Sequence, residues 1–304
     1  MDFIKTPVKG MCDILPDEMR LREYVLKLIK ESYELYGFSL IETPVMEHIK
    51  NLTGKQGGEN EKLFFRILKR GDELKRALED GKMELSDSGL RYDLTLPLAR
   101  YYANNISELT MPFKALQIGN VFRADKPQKG RFRQFIQCDI DIIGDNSILA
   151  EIELIAATAE VLSNILSEAG LSEFTVHIND RKILKAIGAY AGFAEEDYFD
   201  VLISLDKMDK IGKDKVKEEL LSKGYELTKV EKLIAILSKS EKPGSCSEFC
   251  QFLNGEYIEE EVISNLDTII ACARKMIKNK DAKLQFDPTL VRGMSYYTGP
   301  IFEV

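Results

Sequence analysis

The stretch from residue 113 to residue 143 restricts the fold of this chain more than any other, because its pattern predicts a β-hairpin. Residues 113–122 form an apolar, strand-like run, and Pro127 and Gly130 then mark a loop. Over residues 132–143, apolar and polar side chains alternate, as they do along a strand with one buried face. Two such strands joined by a short loop are expected to pair antiparallel.

The polar face of the second strand carries side chains that are suited to binding. Arg133, Gln137, Asp139 and Asp141 share this face. An ordinary solvated face is the simpler interpretation. A planar guanidinium group, however, matches the geometry of phosphate and carboxylate groups, and carboxylates beside it can hold a cationic or N–H-bearing ligand. The strand therefore predicts a site for a polar ligand.

The charge of the chain limits the partners it can have. The formal net charge is −8, which argues against broad non-specific nucleic-acid binding, because such binding depends on neutralising phosphates. A local basic patch is still compatible with RNA contact. Its only acid is Asp125, and its cations, all within twenty residues, are Lys114, Arg123, Lys126, Lys129, Arg131 and Arg133.

A second strand-like pattern runs from Leu90 to Leu96. Its even positions are apolar or aromatic and its odd positions are polar, which predicts a strand with Arg91, Asp93 and Thr95 on one face. Asp93 and Thr95 are then candidates to bind a ligand together. The alternative is that Asp93 forms a surface ion pair with Arg91.

The remaining elements predict an α+β fold, in which a mostly antiparallel sheet is flanked by helices and interrupted by a helical insertion. Helices are predicted for residues 17–36, 69–87, 145–169 and nearly all of 181–278, and further strands for 38–43, 63–68, 174–178, 284–286, 291–298 and 301–304. We therefore predict a core over residues 1–180, a helical insertion over 181–280 and a return to the core sheet over 281–304.

The composition favours a protein without disulfides, metal sites or membrane segments. Five scattered cysteines argue against a disulfide framework, and with only two histidines no complete metal site is expected. No apolar run approaches the length of a membrane span, and the N-terminus has no signal-peptide pattern. We expect a cytoplasmic protein.

Several segments, in order and spacing, resemble class II aminoacyl-tRNA synthetases in the form found in histidyl-tRNA synthetases. Residues 122–141 resemble the second signature motif of the class, residues 90–97 the family's amino-acid-binding strand, and residues 290–299 its histidine-specific signature. Residues 9–16 and the strand ending at Pro44 resemble the family's entry and its dimer-forming first motif. The resemblance implies that the predicted core has a class II synthetase-like sheet.

The resemblance also implies a histidine–tRNA ligase, which activates L-histidine with ATP to histidyl-adenylate and transfers it to the acceptor end of tRNA(His). ATP is expected as a substrate with Mg²⁺, and no tightly bound cofactor is expected. Arg123 is implied to hold the α-phosphate and the amino-acid carboxylate, and Arg292 to approach from the opposite side as a second fixed cation. Arg131 is implied to contact the outer phosphates or the tRNA end.

The implied histidine pocket consists of Asp93, Thr95, Gln137, Asp141, Tyr296 and Tyr297. Asp93 and Thr95 would bind the ligand ammonium with support from Gln137. Asp141 would accept an imidazole N–H in a slot that Tyr297 helps to shape. A site that hydrogen-bonds a polar side chain rejects apolar competitors, because its own groups would be left unpaired.

Two further expectations concern the whole protein. The chain is expected to be a catalytic core cut before the third motif of the class and before the anticodon-binding domain, and therefore to be weak or inactive alone. A homodimer is expected through the first-motif region, residues 38–47.

The main alternative is a non-enzyme, the synthetase-like regulatory subunit of ATP phosphoribosyltransferase, which senses histidine and also lacks an anticodon domain. The short length of the chain favours this alternative. Arg123, Gln137, Asp141 and Arg292 favour the synthetase, because a sensor does not need two phosphate-facing arginines. A class II synthetase for proline or threonine is disfavoured by residues 292–297.

Overall fold

The computed structural model describes residues 3–53, 63–81, 84–205, 207–238, 245–291 and 297–304. Contacts divide the chain into two units, Met1–Asp145 and Asn146–Val304. Both units combine short sheets with helices, so the predicted α+β class is confirmed. The boundaries predicted at residues 180 and 280 stay a prediction.

The first unit begins with a long helix and continues with short strands and helices. Its elements are α1 (Pro16–Glu34), β1 (Ser39–Ile41), β2 (Met46–His48), α2 (Ile49–Leu52), β3 (Arg66–Leu68), α3 (Gly71–Glu79), β4 (Ser86–Leu90), α4 (Thr95–Asn105), β5 (Phe113–Phe122) and β6 (Gln134–Ile143). Proline is the first residue of α1, and Asp17 and Glu18 lie in its first turn, where free N–H groups attract negative charge. After the helix, Gly37 has a φ of 78° and turns the chain towards β1.

The described residues of this unit form two three-stranded sheets. In the first, β5 lies between β1, which is parallel to it, and β6, which is antiparallel. The register of β5 and β6 runs from Phe113 opposite Ile143 to Phe122 opposite Gln134. The predicted hairpin is confirmed, although its second strand begins at Gln134 and not at Phe132. In the second sheet, β4 lies between the antiparallel strands β2 and β3.

The strand predicted from Leu90 to Leu96 is wrong beyond its first residue. β4 ends at Leu90, the chain bends, and α4 begins at Thr95. The backbone N–H of Leu96 donates to the Asp93 carboxylate at 3.4 Å, which satisfies a free donor of the first helical turn. Pro97 suits this turn, because it has no N–H to leave unpaired. The helix-start residues therefore outweigh the alternating pattern, and Asp93 and Thr95 do not share a strand face.

Contacts with β5 fix the position of α4. Leu98 of α4 is buried together with Phe113 and Ala115 of β5, and burial of a large apolar side chain contributes about 1.5–3 kcal/mol. Nearer the start of the helix, the Gln117 side chain donates to the carbonyl of Leu94 at 3.2 Å. The bend between β4 and α4 is thereby held against the hairpin.

The second unit surrounds a three-stranded sheet with helices. Its elements are α5 (Leu149–Glu168), β7 (Phe174–Asp180), α6 (Arg181–Ala191), α7 (Tyr198–Leu205), α8 (Met208–Ile211), α9 (Lys213–Ser222), α10 (Leu227–Ser238), α11 (Cys246–Cys250), α12 (Asn254–Tyr257), α13 (Glu260–Met276), β8 (Ala282–Phe286) and β9 (Pro300–Glu303). β7 lies between the parallel strand β8 and the antiparallel strand β9. The helices predicted after residues 145 and 181 are confirmed. Of the strand predicted over residues 291–298, residues 292–296 lie outside the described ranges, and the others are not in a strand.

One apolar core joins this sheet to its helices. Val176 and Ile178 of β7 and Ile183 of α6 are almost fully buried in it. α6 follows β7 directly, because the Asp180 carboxylate accepts the backbone N–H of Lys182 at 2.7 Å and caps the helix. None of the described helices is both long enough and apolar enough to cross a membrane.

Candidate functional site

Two hydrogen bonds fasten the bend after β4 to the end of β5. The backbone N–H of Phe122 donates to the carbonyl of Arg91 at 2.9 Å. The side chain of Arg123 donates through Nε to the carbonyl of Tyr92 at 3.1 Å. Asp93 is the next residue of the bend and lies within electrostatic reach of Arg123. Residues from two separate segments are thus brought together at one side of the hairpin.

Arg123 is held by protein contacts that leave part of its guanidinium group available. Besides the bond to Tyr92, its Nη2 donates to Oε1 of Gln137 at 3.4 Å. The guanidinium carbon lies 5.0 Å from the centre of the Phe135 ring, a cation–π distance. A side chain that is already fixed loses little freedom when a ligand binds. Arg123 is therefore prepared to receive an anionic group.

Gln137 is oriented by Asp139, which stands two residues further along β6 on the same face. Nε2 of Gln137 lies 3.0 Å from Oδ1 and 2.8 Å from Oδ2 of Asp139. With Nε2 bound to this carboxylate, Oε1 of Gln137 is directed to Arg123. Asp139 is missing from the predicted set of binding residues, although the alternation that places Gln137 and Asp141 on this face places it there too.

Three carboxylates share this region, and each has a raised pKa. Burial raises the pKa of Asp141 to about 6, and the charges of Asp139 and Asp93 add to the effect. Burial likewise raises the pKa of Asp139 and of Asp93, while Arg123 acts in the opposite direction on both. The three groups repel one another when they are ionised. A cationic ligand would relieve this repulsion.

One carboxylate oxygen of Asp141 is also unsatisfied within the described part of the chain. Its Oδ2 atom is buried and accepts no hydrogen bond from any part of the chain that the structure describes. A buried acceptor without a partner costs about 1–3 kcal/mol. A ligand that brings an N–H group to this oxygen would recover that free energy, so Asp141 can select for such a group.

The predicted alternative, a surface ion pair between Asp93 and Arg91, is wrong. Arg91 is only 4% exposed. It donates to the carbonyl of Asn120 at 2.8 Å and to the carbonyl and hydroxyl of Thr43 at 2.6 and 3.0 Å. A Cβ atom at Gly119 would lie 2.1 Å from Nη2 of Arg91, so glycine leaves the space that this side chain occupies. Arg91 supports the bend from within the protein, and Asp93 remains available to a ligand.

The basic loop between β5 and β6 forms a cleft of about 630 Å³. The cleft is lined by Arg123, Asp125, Lys126, Pro127, Gln128, Gly130, Arg131, Phe132, Arg133 and Phe135. A tight turn narrows the loop, since the backbones of Gln128 and Arg131 bond to each other at 2.9 and 3.2 Å. Four cations against one carboxylate suit a polyanion such as a triphosphate. Arg123 lines this cleft and also lies within electrostatic reach of Asp93 and Asp139, so the cleft adjoins these carboxylates.

Four other predicted residues have roles that the described contacts do not test. Thr95 is the first residue of α4, and its side chain is exposed. Tyr297 belongs to the second unit, where its carbonyl accepts a hydrogen bond from Arg181 at 2.7 Å. Arg292 and Tyr296 lie outside the described residues. The roles assigned to these four residues stay predictions.

Comparison with known sequences gives one family. A sequence profile described as histidyl-tRNA synthetase matches residues 10–304. A histidine–tRNA ligase of Leifsonia xyli subsp. xyli is 44% identical over 98% of this chain and 70% of its own length. A histidine–tRNA ligase of Azobacteroides pseudotrichonymphae is 39% identical over 97% of this chain and 65% of its own length. The chain therefore spans about two thirds of the curated relatives it matches.

Solved structures agree with this result. The crystal structure of a histidyl-tRNA synthetase from a Nostoc species has a TM-score of 0.79 and 29% sequence identity, covering 99% of this chain and 65% of that one. A protein from Bacillus halodurans, described as an ATP phosphoribosyltransferase regulatory subunit/histidyl-tRNA synthetase, has a TM-score of 0.76 at 24% identity, covering 100% of this chain and 73% of that one. At that identity the second likeness concerns the fold alone. The predicted class II synthetase-like fold is confirmed.

Proposed function

This chain belongs to the histidyl-tRNA synthetase family, and on that premise we propose that it forms the amino-acid-activating site of a histidine–tRNA ligase. The observation that carries the proposal is the buried Oδ2 atom of Asp141, which has no hydrogen-bond partner among the described residues and belongs to a group of carboxylates beside Arg123. A fitting ligand has an ammonium group, a ring N–H and a carboxylate. L-histidine has all three.

In the proposed first step, a carboxylate oxygen of histidine attacks the α-phosphorus of ATP. The bond from that phosphorus to the bridging oxygen breaks, pyrophosphate leaves, and histidyl-adenylate forms. Negative charge builds on the α-phosphate oxygens, and Arg123, already fixed by Tyr92 and Gln137, stabilises it. Arg292 acts as the second cation, and Arg131 contacts the outer phosphates from across the cleft.

Selection for histidine follows from the same side chains. The ammonium group lies against Asp93 and Oε1 of Gln137, and an imidazole N–H donates to Oδ2 of Asp141. Thr95, Tyr296 and Tyr297 complete the pocket. Threonine has no side-chain N–H, and the only nitrogen of proline is its α-amino group, so neither has a second N–H to offer to the buried acceptor. Sites of this kind discriminate strongly against such ligands.

Magnesium is proposed to enter with the nucleotide. In ATP-using enzymes Mg²⁺ is usually bound by phosphate oxygens, water and one or two carboxylates, and a dedicated protein cage is uncommon. Among the described residues there is no group of three or more His, Cys, Asp or Glu side chains that could hold a metal ion. Asp125 is the carboxylate among the residues that line the cleft, and it is the candidate to approach such an ion.

In the proposed second step, a terminal ribose hydroxyl of tRNA(His) attacks the acyl carbon of the adenylate. An ester bond forms, AMP leaves, and the hydroxyl proton is released. The exposed cations of the loop, Lys126, Lys129 and Arg131, are available to the phosphates of the acceptor end. A protein with this role works in the cytoplasm, where we propose that it acts.

A homodimer is proposed through the first-motif region. β1 is an edge strand of its sheet in the described residues. Leu40, Val45 and Met46 are 56%, 38% and 52% exposed there, and exposed apolar residues in a cluster are typical of an interface. Light scattering at micromolar concentration should give twice the mass of one chain. A monomer would contradict the proposed interface without contradicting the proposed reaction.

The function is tested by ligand selectivity and by exchange. Calorimetry should detect L-histidine binding at least about tenfold tighter than L-proline or L-threonine binding. Asp141→Asn should abolish most of this preference, whereas the exposed control Asp281→Asn should not. Equal binding of the three amino acids would count against the proposal.

An assay of pyrophosphate exchange into ATP distinguishes a ligase from the regulatory subunit. The complete gene product should catalyse exchange of pyrophosphate into ATP only when histidine is present. Selective histidine binding without any exchange would favour the histidine-sensing regulatory subunit of ATP phosphoribosyltransferase. In that case histidine should instead change the activity of a phosphoribosyltransferase partner.

A further inference from the structure

The N-terminal segment lies across the base of the basic loop. We call residues 8–11 the strap; it is a tight turn, in which the backbone N–H of Met11 donates to the carbonyl of Val8 at 2.9 Å. The backbone N–H of Arg133 donates to the carbonyl of Gly10 at 2.6 Å. Nη1 of Arg133 also lies 3.4 Å from the carbonyl of Lys9. The strap and the far end of the loop are therefore bonded through both backbone and side chain.

Only glycine fits where the strap meets the loop. Gly10 has a φ of 87°, which L side chains rarely adopt. A Cβ atom there would lie 2.8 Å from Cδ of Arg133 and 2.8 Å from Cγ of Pro127. These distances are too short for carbon atoms that are not bonded. The backbone of the strap thus rests directly on two residues of the loop.

Arg133 links the strap to the site. Its carbonyl accepts the backbone N–H of Arg123 at 2.8 Å, which closes the base of the loop. Its Nε donates to the carbonyl of Asp125 at 3.0 Å. One residue therefore bonds to the strap, to the first turn of the loop and to the backbone of the site arginine.

Charge repulsion within the loop favours its opening. Between its ends it carries Lys126, Lys129 and Arg131, all exposed and of like charge. Like charges close together repel each other, and an unsupported loop would gain conformational entropy by opening. The cleft depends on Arg123 and Arg131 facing the same space. The bonds from Arg133 to the strap and to Asp125 lie at the base of the loop, where they can oppose such opening.

We propose that Gly10 and Arg133 are positioning residues, which hold the loop in the geometry that binds the triphosphate of ATP. The inference rests on the proposed function for the identity of the ligand. Loss of the strap contact should weaken ATP binding much more than histidine binding, because Asp93, Gln137 and Asp141 make no contact with the strap in the described structure.

The test compares Gly10→Ala with Gly224→Ala. Gly224 has a similar φ of 93°, but a Cβ atom there would meet nothing within 4 Å, so this control carries the backbone strain without the collision. Trypsin cleaves after Lys129 and Arg131 in the loop, and mass spectrometry follows each cut. Gly10→Ala should speed both cuts by about tenfold, since protease access tracks local opening. Gly224→Ala should leave the rates unchanged.

Ligand binding gives the second readout. Calorimetry with ATP should show about tenfold weaker binding by Gly10→Ala, while histidine affinity stays within about twofold, since the two ligands use different contacts. If Gly10→Ala does not fold, Arg133→Lys serves instead, because it keeps the charge and the backbone bond but removes the planar group that bonds to Asp125. It should give a smaller change in the same direction.

The outcomes distinguish this inference from the proposed function. Unchanged cleavage and ATP affinity in Gly10→Ala, with a loss of thermal stability equal to that of Gly224→Ala, would overturn the positioning role. If the unaltered protein instead fails to prefer histidine, the proposed function is lost. The cleavage comparison still decides whether the strap holds the loop.

Discussion

Nε2 of Gln137 lies within hydrogen-bond distance of both carboxylate oxygens of Asp139, at 3.0 and 2.8 Å. An amide can rotate by half a turn and exchange its oxygen and nitrogen. With the nitrogen bound to Asp139, the oxygen of Gln137 is left for Arg123 and for a ligand ammonium group. Asp139 therefore determines which end of the Gln137 amide a ligand meets.

Asp139→Asn is predicted to weaken histidine binding by about tenfold, the effect of roughly 1.4 kcal/mol. The asparagine can present its own N–H group to Gln137, which allows the rotated amide and puts an N–H where the ammonium group should lie. Calorimetry at neutral pH measures the change, with Asp281→Asn as an exposed control. An unchanged affinity would mean that Gln137 keeps its orientation without Asp139.

The pH dependence of stability is predicted from Asp141. Burial, with help from Asp139 and Asp93, raises its pKa from 3.8 to about 6 in the folded protein. The folded state then binds this proton more tightly than the unfolded chain does. The contribution of Asp141 to the free energy of unfolding is therefore greatest below its unfolded pKa and is lost as the pH rises through about 6.

Asp141→Asn should remove this dependence. Without ligand, the variant should be more stable than the unaltered protein at about pH 7 and closer to it at about pH 4, as linkage between proton binding and folding requires. Urea unfolding at the two pH values measures the difference. A constant difference between the variant and the unaltered protein would contradict the raised pKa.

Local patterns account for the parts of the fold that were predicted. The hairpin of β5 and β6 follows from alternation on both sides of a loop with Pro127 and Gly130, and neighbouring segments determine it. The strand predicted from Leu90 to Leu96 was wrong for a reason that is also local. There the same residues alternate and also start a helix, and Pro97 in the first turn is the signal that separates the two.

Other parts of the site depend on contacts between distant segments. The burial of Arg91 requires Thr43, Asn120 and the empty space at Gly119, which no pattern around Arg91 reveals. Asp139 is different, because the alternation of β6 already places it on the polar face. The alternation does not reveal that Asp139 lies within hydrogen-bond distance of Gln137, and this contact is what lets Asp139 orient the Gln137 amide.

Arg100→Met is predicted to destabilise the first unit. Glu47 is 4% exposed and forms an ion pair with Nε of Arg100 at 2.5 Å. It also accepts hydrogen bonds from the backbone of His48 and the side chain of Asn51 at 3.0 and 3.1 Å. Burial alone would raise the pKa of Glu47, but Arg100, His48 and Asn51 together lower it.

Removing Arg100 leaves a buried charge without its cation. The free energy of unfolding should fall by about 2–3 kcal/mol, below the range for fully buried pairs because Arg100 is 32% exposed. Glu47→Gln with Arg100→Met should recover part of the loss, since the double variant removes the charge as well. Additive losses in the double variant, measured by urea unfolding, would mean that the two side chains are not coupled.

Arg123→Lys is predicted to affect the reaction more than the binding of histidine. Lysine keeps a positive charge, but it cannot donate to Tyr92 and Gln137 at 3.1 and 3.4 Å and still offer a planar pair of donors to a phosphate. The histidine-dependent exchange rate of the complete gene product should fall by about 100-fold, as it does when one preorganised donor is removed. Histidine affinity should change by much less, because a group used mainly in the transition state affects turnover more than ground-state binding.

Arg22→Lys, in the first helix, is the matched control and should leave both quantities unchanged. Equal losses in exchange rate and histidine affinity would instead make Arg123 a ground-state contact of the amino acid.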